Sequence, residues 1–280
     1  MTYRSLLVLL DLDPLCAVRT QVAMRLSRQL DCHLVGVAPT GLIELPVSLR
    51  AATSLAEFAT LAWDSLQGQA ERAADHFRDT CRAAGVKSFE VVVDESDKAP
   101  SIVRHAHCSD LTVLTQADPA APGHREAQEL VEQVVLHCAR PTLILPYAGR
   151  CDSVATHAMV AWDDSRESAR AVSDALPLLR LAEQVQVVNW IEAGTIDDKA
   201  LRLRLDALQQ WLVWQGVTAD LRVETTTTGI ADAMLSRAAD LATDLIVMGA
   251  YGHARWAERV LGGATRGLLA SMTVPVLMSH

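Results

Sequence analysis

The sequence predicts an α/β chain built from two tandem, doubly wound parallel-sheet domains. Short apolar segments alternate with amphipathic ones along the chain, which is typical of parallel strands separated by helices. The length of 280 residues is nearly twice the roughly 150 residues of an average domain. In addition, two separated stretches of the first half recur in the second half at one shared offset, which indicates a duplication.

The repeat is clearest in the last two strands of each half. Asp110 and Asp244 each precede an apolar strand, and 31 positions later Pro141 and Pro275 each precede a second one. Both pairs are 134 positions apart, and one offset shared by two stretches indicates duplication more strongly than a single similar segment. We therefore predict domains over 1–148 and 152–280, joined by a short linker.

The first strands of the two halves also match, because each is an apolar run that ends in an aspartate. Asp11 and Asp163 are 152 positions apart, so the first half has about 18 additional residues in its middle. The segment 40–64, which contains Pro46, is the expected place for them. After the first strand, Asp13-Pro14 is expected to cap the helix that follows.

The second half gives the element pattern most clearly. We predict strands at 157–162, 185–191, 221–225, 244–248 and 274–278. We predict helices at 166–181, 198–215, 230–242 and 264–271. Uninterrupted apolar runs suit strands that are covered on both faces. Doubly wound sheets bind ligands at the carboxyl ends of their strands, so the residues just after each strand are candidates for a site.

Composition narrows the function. Half of the residues are hydrophobic, 21% are charged, and the net charge is −9 with a pI near 5.4. Because the halves are about equally acidic, we expect no nucleic-acid partner. Since no apolar run is long enough for a bilayer or a signal peptide, we expect no membrane partner and a cytoplasmic location. Six cysteines without a C-x-x-C pair favour free, mostly buried thiols.

Glycines follow the fourth predicted strand of the second half. Gly249 and Gly252 lie in the loop, and Gly262 and Gly263 precede a helix that is expected to begin at Ala264. Glycine lets the backbone approach a ligand closely, and a helix N-terminus offers free N–H groups to phosphate oxygens. Thr265 adds a hydroxyl, and His253 within the loop is a further candidate. The alternative is that these glycines serve only turns and helix packing.

Two further strands of the second half end in polar or aromatic residues. After the first strand, Asp163 can accept hydrogen bonds from a base or ribose, and Ser165 is expected to cap the next helix. Trp190 lies at the end of the second strand and can flank a planar base. The alternatives are that the aspartate only starts the helix and that the tryptophan belongs to the core.

These motifs resemble the universal stress protein family over nearly the whole chain. The resemblance implies two Rossmann-like, adenine-nucleotide α-hydrolase-like domains that pair about a pseudo-two-fold axis through their last strands. Family members with this glycine pattern bind ATP or related nucleotides such as ADP or AMP, with any Mg²⁺ carried on the phosphates. The resemblance implies that the adenosine lies near Ala161, Trp162, Asp163 and Trp190. It places the ribose and phosphates along Met248, Gly249, Gly252, Gly262, Gly263, Ala264 and Thr265.

The chain departs from the family pattern in both halves. Gly263 stands where the family has Ser or Thr, so one hydroxyl contact with phosphate is lost unless Thr265 supplies it. At the offset of 134, Thr115, Asp118 and Gln128 replace the three glycines of the first half. An aspartate in that loop repels phosphates. We therefore expect the first half to keep the fold without binding a triphosphate.

Three functions remain open from the sequence. The first is a universal stress protein that binds ATP in its second domain and acts in stress response, as an intrachain pseudo-dimer with or without further homodimerisation. The second is a nucleotide-free interaction module, and the third is a slow ATPase of the α-hydrolase-like class. No nucleophile and base are paired in the sequence, so we expect at most slow hydrolysis and assign no catalytic residue.

Two other groups of residues are expected to have structural roles. His105 and His107 lie near Cys108, but on a helix positions 105 and 107 point about 200° apart, so we predict no metal site. Trp211 and Trp214 have i, i+3 spacing and are expected to form a packing stripe.

Overall fold

The computed structural model describes residues 2–41, 53–149, 151–192, 199–252 and 263–280, with only the backbone given for 53–59 and Glu192. The strands are β1 Ser5–Leu9, β2 His33–Pro39, β3 Phe89–Asp94, β4 Leu111–Thr115, β5 Thr142–Leu145, β6 His157–Ala161, β7 Gln184–Glu192, β8 Asp220–Thr226, β9 Leu245–Gly249 and β10 Val276–Ser279. The helices are α1 Cys16–Leu30, α2 Thr53–Ala83, α3 Lys98–Ala106, α4 His124–His137, α5 Arg166–Leu179, α6 Lys199–Trp214, α7 Ile230–Asp240 and α8 Gly263–Ser271.

The chain divides into two compact units, and each is built around a series of hydrogen-bonded strands. The first unit contains Tyr3–Thr115 and Glu129–Cys138, and the second contains Gln116–Gln128 and Ala139–His280. In the first unit the strand order is β3-β2-β1-β4, and all neighbours are parallel. The central strand β1 is apolar and almost entirely buried, because helices cover both faces of a doubly wound sheet.

The second unit has the strand order β5-β10-β9-β6-β7-β8. Within the series β10-β9-β6-β7-β8, all neighbouring strands are parallel. β5 and β10 pair antiparallel, with Leu277 opposite Leu143. β5 and β10 are the last strands of the two predicted repeats, so these strands are in contact as expected. The chain moves from β6 to β8 on one side and returns to β9 on the other, which puts the topological switch point between β6 and β9.

The predicted α/β fold is confirmed, and the predicted elements of the second half lie within two residues of the observed ones. The additional residues of the first half fall between β2 and β3, where α2 has 31 residues against 16 in α6. Much of the predicted segment 40–64 lies outside the described residues. Among the helices that are described, none is both long and apolar enough to cross a membrane.

The two helix starts that the sequence predicted have different outcomes. Ser165 caps α5 as predicted, because its side chain accepts a hydrogen bond from the Ser168 N–H at 3.1 Å. The prediction that Asp13-Pro14 caps α1 is wrong, since this helix begins only at Cys16 and Leu15 occupies the capping position. Asp13 instead accepts from the Leu15 N–H at 2.7 Å, which stabilises the turn before the helix.

Candidate functional site

A cavity of about 360 Å³ lies at the switch point of the second unit, a size typical of small-molecule sites. It collects residues from the carboxyl ends of β6, β7 and β9 and from the first turn of α8. Ten of the twelve predicted site residues line it: Ala161, Trp162, Asp163, Trp190, Met248, Gly249, Gly252, Gly263, Ala264 and Thr265. The other two, His253 and Gly262, lie outside the described residues.

Three lining residues were missed by the sequence reasoning. Ile230 and Met234 are one turn apart on α7 and form an apolar wall of the cavity, and Tyr251 lies between the two loop glycines. The sequence carries a signal for the first two, since they have i, i+4 spacing directly after the third strand of this half. Only the ends of the first, second and fourth strands had suggested site residues.

Close packing explains one of the loop glycines. A Cβ atom on Gly249 would lie 2.6 Å from the backbone carbonyl carbon of Glu167 and 2.6 Å from the backbone nitrogen of Ser168. The end of β9 therefore passes against the N-terminus of α5 at a distance that only glycine permits. Packing, which was the alternative explanation of the glycines, accounts for this position.

Gly252 and Gly263, the other two glycines of this site within the described residues, are less tightly packed. A Cβ atom on Gly252 would meet the Glu167 Oε2 atom at 3.0 Å, which is the movable end of a side chain. At Gly263 no atom of the described residues lies within 4 Å of an added Cβ atom, so packing against these residues does not require glycine there. A side chain at position 263 would lie beside the first turn of α8.

Asp163 organises the turn between β6 and α5. Its Oδ1 atom accepts hydrogen bonds from the Ser165 N–H at 3.1 Å and from the Ser165 hydroxyl at 2.6 Å. The same residue lines the cavity. The alternative that this aspartate helps to start the helix is therefore correct, and it is compatible with a carboxylate at the mouth of a ligand site.

The glycine loop is fixed by contacts with the C-terminal residues of the chain. The buried Thr265 hydroxyl accepts from the Tyr251 N–H at 3.3 Å. The Ala250 N–H donates to the Ser279 carbonyl at 2.8 Å, and the Ala250 carbonyl lies 3.0 Å from His280 Nδ1. These contacts fix the described end of the loop beside α8.

A buried carboxylate lies behind the loop. Glu167 pairs with Arg166, and its side chain is almost fully buried. Burial works to raise the pKa of Glu167, but the hydrogen bond and charge of Arg166 and the charge of His280 lower it below its usual value overall. The loop therefore has a fixed negative charge beneath Gly252, close to the Cβ position described above.

Two buried polar atoms beside the cavity have no partner among the described residues. They are the indole Nε1 atom of Trp162 and the side-chain oxygen of Asn189. The amide nitrogen of Asn189 donates to the Trp162 carbonyl at 2.8 Å, which ties the ends of β6 and β7 together. Unpaired buried polar atoms are uncommon and often mark sites where a ligand or water completes the hydrogen bonding.

The matching edge of the first unit is filled by a side chain. Arg19 on α1 is buried, and its Nε donates to the Leu9 carbonyl at 2.7 Å. Its Nη1 donates to the Thr115 hydroxyl at 3.1 Å, and its Nη2 pairs with Asp11. Thr115 is the counterpart of Gly249 in the repeat, so a guanidinium group occupies the carboxyl ends of β1 and β4.

A second polar cluster of the first unit surrounds Asp94 at the end of β3. Its Oδ2 atom accepts from the Ser101 hydroxyl and the Arg104 Nη2 atom, both at 2.6 Å, and His105 Nε2 lies 3.1 Å away. Burial works to raise the pKa of Asp94, but the hydrogen bonds from Ser101 and Arg104 and the Arg104 charge lower it to about 2.

His107, unlike His105, does not contact Asp94 and lies instead next to the His137 carbonyl. Within the described parts of the chain, no group of three or more potential ligands can hold a metal.

The Asp94 cluster gives a pH-dependent prediction. Because the pKa falls from 3.8 to about 2 on folding, ionised Asp94 stabilises the protein by about 2 kcal/mol above pH 4. This stabilisation is lost as the pH falls from about 4 through 2. Urea unfolding at several pH values should show Asp94→Asn about 2 kcal/mol less stable than wild type at pH 6, and equally stable near pH 2. A difference that is constant with pH contradicts this origin.

The structure differs from two further predictions, one about the tryptophans of α6 and one about the burial of the cysteines. Trp214 is 74% exposed, so the predicted packing stripe with Trp211 is wrong. All six cysteines are free, but only Cys32, Cys81 and Cys138 are buried. Burial raises the pKa values of Cys32 and Cys81 to about 11, with a further contribution at Cys32 from the charge of Asp110, so these thiols stay protonated at neutral pH.

The family comparison agrees with this arrangement of the second half. Residues 155–280 match the model of the universal stress protein family. The second half of the chain is a universal stress protein domain. This domain contains all of the cavity described above. No curated protein sequence matches the chain.

Solved structures extend the similarity of fold to the whole chain. A universal stress protein from Archaeoglobus fulgidus DSM 4304 is 16% identical with a TM-score of 0.72, covering 98% of this chain and 95% of that one. A functionally unknown protein from Pseudomonas aeruginosa PAO1 is 15% identical with a TM-score of 0.61, covering 99% and 92% respectively. The universal stress protein domain therefore follows a first half of the same α/β class, in a tandem layout.

Proposed function

We propose that the chain is a cytoplasmic stress-response protein that binds ATP or a related adenine nucleotide in its universal stress protein domain. The observation that carries this proposal is the cavity at the switch point of the second unit, which collects ten of the residues expected to hold the nucleotide. We assign it a regulatory or protective role, with hydrolysis slow or absent. Mg²⁺ would be held through the phosphates of the nucleotide.

The lining of the cavity fits the parts of such a ligand. Trp162, Trp190, Ile230 and Met234 give an apolar and aromatic surface suited to a base. Asp163 supplies a carboxylate that can accept from ribose hydroxyls. The indole N–H of Trp162, which has no hydrogen-bond partner among the described residues, is an additional polar group at this end.

The opposite end of the cavity fits phosphates. Gly252 and Gly263 keep the backbone accessible, and the first turn of α8 contributes N–H groups with the positive end of the helix dipole. Thr265 is already engaged with the Tyr251 N–H, so its hydroxyl supports the loop and can donate its own proton to an acceptor. We infer that most of the phosphate contacts come from the backbone.

The first half of the chain supports a division of labour between the repeats. The Arg19 guanidinium fills the edge that corresponds to the nucleotide cavity, and Lys98 Nζ lies 3.8 Å from the other oxygen of Asp11. Asp118, the counterpart of Gly252, accepts from the Ala120 N–H at 2.8 Å and adds a negative charge. We propose that this half supports the fold and leaves nucleotide binding to the second half.

A thermal shift experiment tests the proposed function. With MgATP at about 100 times its Kd, binding stabilises the folded state by about 2.7 kcal/mol, which corresponds to a rise in Tm of roughly 5–10 °C. MgGTP serves as the matched control and should give a smaller shift. If neither nucleotide changes the Tm at millimolar concentration, the proposal fails and a nucleotide-free interaction module becomes the better account.

Gly263 provides a gain-of-function prediction. Gly263→Ser adds the hydroxyl that the family pattern carries, at a position where an added Cβ atom meets no described residue within 4 Å. A hydrogen bond to a charged group contributes about 1.5–3 kcal/mol, so the Kd for MgATP should fall roughly 10- to 150-fold in calorimetric titration. Gly263→Ala adds the Cβ atom without the hydroxyl and should leave the Kd nearly unchanged. Equal effects of both variants would show that the hydroxyl is not the cause.

A further inference from the structure

A second cavity lies between α5 and α6 of the second unit, outside the proposed nucleotide site. Its volume is about 340 Å³, similar to that of the first cavity. Ala169 on α5 and Ala207 on α6 both line it, and both are exposed at its rim. Larger side chains at these two positions would fill the space between the helices, so the small residues keep the cavity open.

Two tryptophan residues, Trp162 and Trp211, are among those that line this cavity. Trp162 comes from the turn after β6, and Trp211 lies one turn after Ala207 on the same face of α6. Trp162 is only 8% exposed and lines the nucleotide cavity as well. Together the two tryptophans give this cavity an aromatic lining.

An ion pair lies at the mouth of the cavity. Arg204 Nε is 2.7 Å from Asp164 Oδ2, and the Arg204 side chain is 52% exposed. Asp164 has a left-handed backbone with φ of +61°, a conformation that aspartate tolerates better than most residues. The pair engages only one of the five guanidinium N–H donors, so Arg204 can also bind a second carboxylate.

We propose that this cavity binds a small aromatic carboxylate. A planar apolar body matches the two indoles and the aliphatic walls, because aromatic rings prefer stacked or edge-to-face contacts with one another. The guanidinium N–H donors of Arg204 require acceptors on the ligand, which selects an anion over a cation. The site lies between α5 and α6 and needs no bound nucleotide.

Titration of the full chain with naphthalene-2-carboxylate, in the absence of nucleotide, tests the proposal. Binding is measured by calorimetry and by quenching of tryptophan fluorescence. The neutral isostere naphthalene-2-carboxamide is titrated in parallel. The carboxylate should bind at least about tenfold more tightly than the amide, because only the anion gains the charge-assisted bond to Arg204. Equal affinities, or no binding of the carboxylate up to a few millimolar, would overturn the proposal.

Four variants assign the binding to this cavity. Arg204→Gln should remove the preference for the carboxylate, whereas Arg222→Gln, which changes an exposed arginine on β8, should keep it. Ala207→Phe should abolish binding of both probes by filling the cavity, and the exposed position lets the variant fold. Ile230→Phe narrows the nucleotide cavity and should leave probe binding unchanged. Loss of binding in Ile230→Phe with retention in Ala207→Phe would place the probe in the nucleotide cavity and contradict the proposal.

Discussion

Gly252→Asp is expected to weaken the binding of MgATP by about a thousandfold. The added carboxylate would lie at the proposed phosphate end of the cavity, next to the ionised Glu167 side chain. Two unit charges about 4 Å apart repel each other by about 4 kcal/mol at an effective dielectric constant of 20. Calorimetric titration of the variant should therefore show no binding at concentrations that saturate the wild type.

Two variants control for other effects of this substitution. Gly252→Ala adds a Cβ atom that meets only the movable end of Glu167, so its Kd should change by no more than a few-fold. Asp118→Gly alters the corresponding loop position of the first half and should leave the Kd unchanged. Normal nucleotide affinity in Gly252→Asp, or a large loss in Asp118→Gly, would contradict the assignment of the site to the second half.

Arg19→Met is expected to lower the free energy of unfolding by about 3–5 kcal/mol. The substitution keeps an unbranched side chain of similar length but removes the hydrogen bonds to the Leu9 carbonyl and the Thr115 hydroxyl. It also removes the ion pair with Asp11, whose side chain is 14% exposed, and leaves that carboxylate only the longer contact of 3.8 Å with Lys98 Nζ. Urea denaturation at neutral pH, followed by circular dichroism, measures the loss.

A double variant separates the charge from the packing in this prediction. Arg19→Met combined with Asp11→Asn removes both charges of the buried pair, so it should recover a large part of the stability that the single variant loses. Arg28→Met is the matched control, because Arg28 is an exposed arginine of the same helix. If the single and double variants are equally unstable, the ion pair is not the reason for the loss.

The fold was accessible from the sequence because its signals are periodic and repeated. The buried runs of β6 and β9 are continuous, as expected for parallel strands, and the 134-residue offset aligns β4 with β9 and β5 with β10. Helix caps were less predictable. Ser165 was identified correctly, but Asp13 forms a turn because α1 begins only at Cys16.

The candidate site was predicted where it follows strand ends and missed where it lies on a helix face. Gly249, Trp190 and Asp163 each come directly after or at the end of a strand, and the structure brings them to one cavity. Ile230 and Met234 were missed because an apolar helix face is as compatible with a core as with a cavity wall. Only the three-dimensional arrangement shows that they face a cavity.

The buried position of Arg19 has a signal in the sequence that is easily overlooked. It occupies an apolar-stripe position of α1, with Val22, Ala23 and Leu26 following at i+3, i+4 and i+7, and all four are buried. Its counterpart in the second half, at the offset of 152, is Ala171. A long cationic side chain in one repeat and a methyl group in the other account for a filled edge in the first unit. The arginine at this position therefore distinguishes the first half from the second, in addition to the loss of the loop glycines.

The binding stoichiometry tests most directly whether the second half alone holds the nucleotide. Calorimetric titration of the purified chain with MgATP should give one nucleotide for each 280-residue chain. The same stoichiometry should persist in Asp118→Gly. Two nucleotides per chain would show that the first half also binds, and a complete absence of binding would remove the nucleotide from the account of this protein.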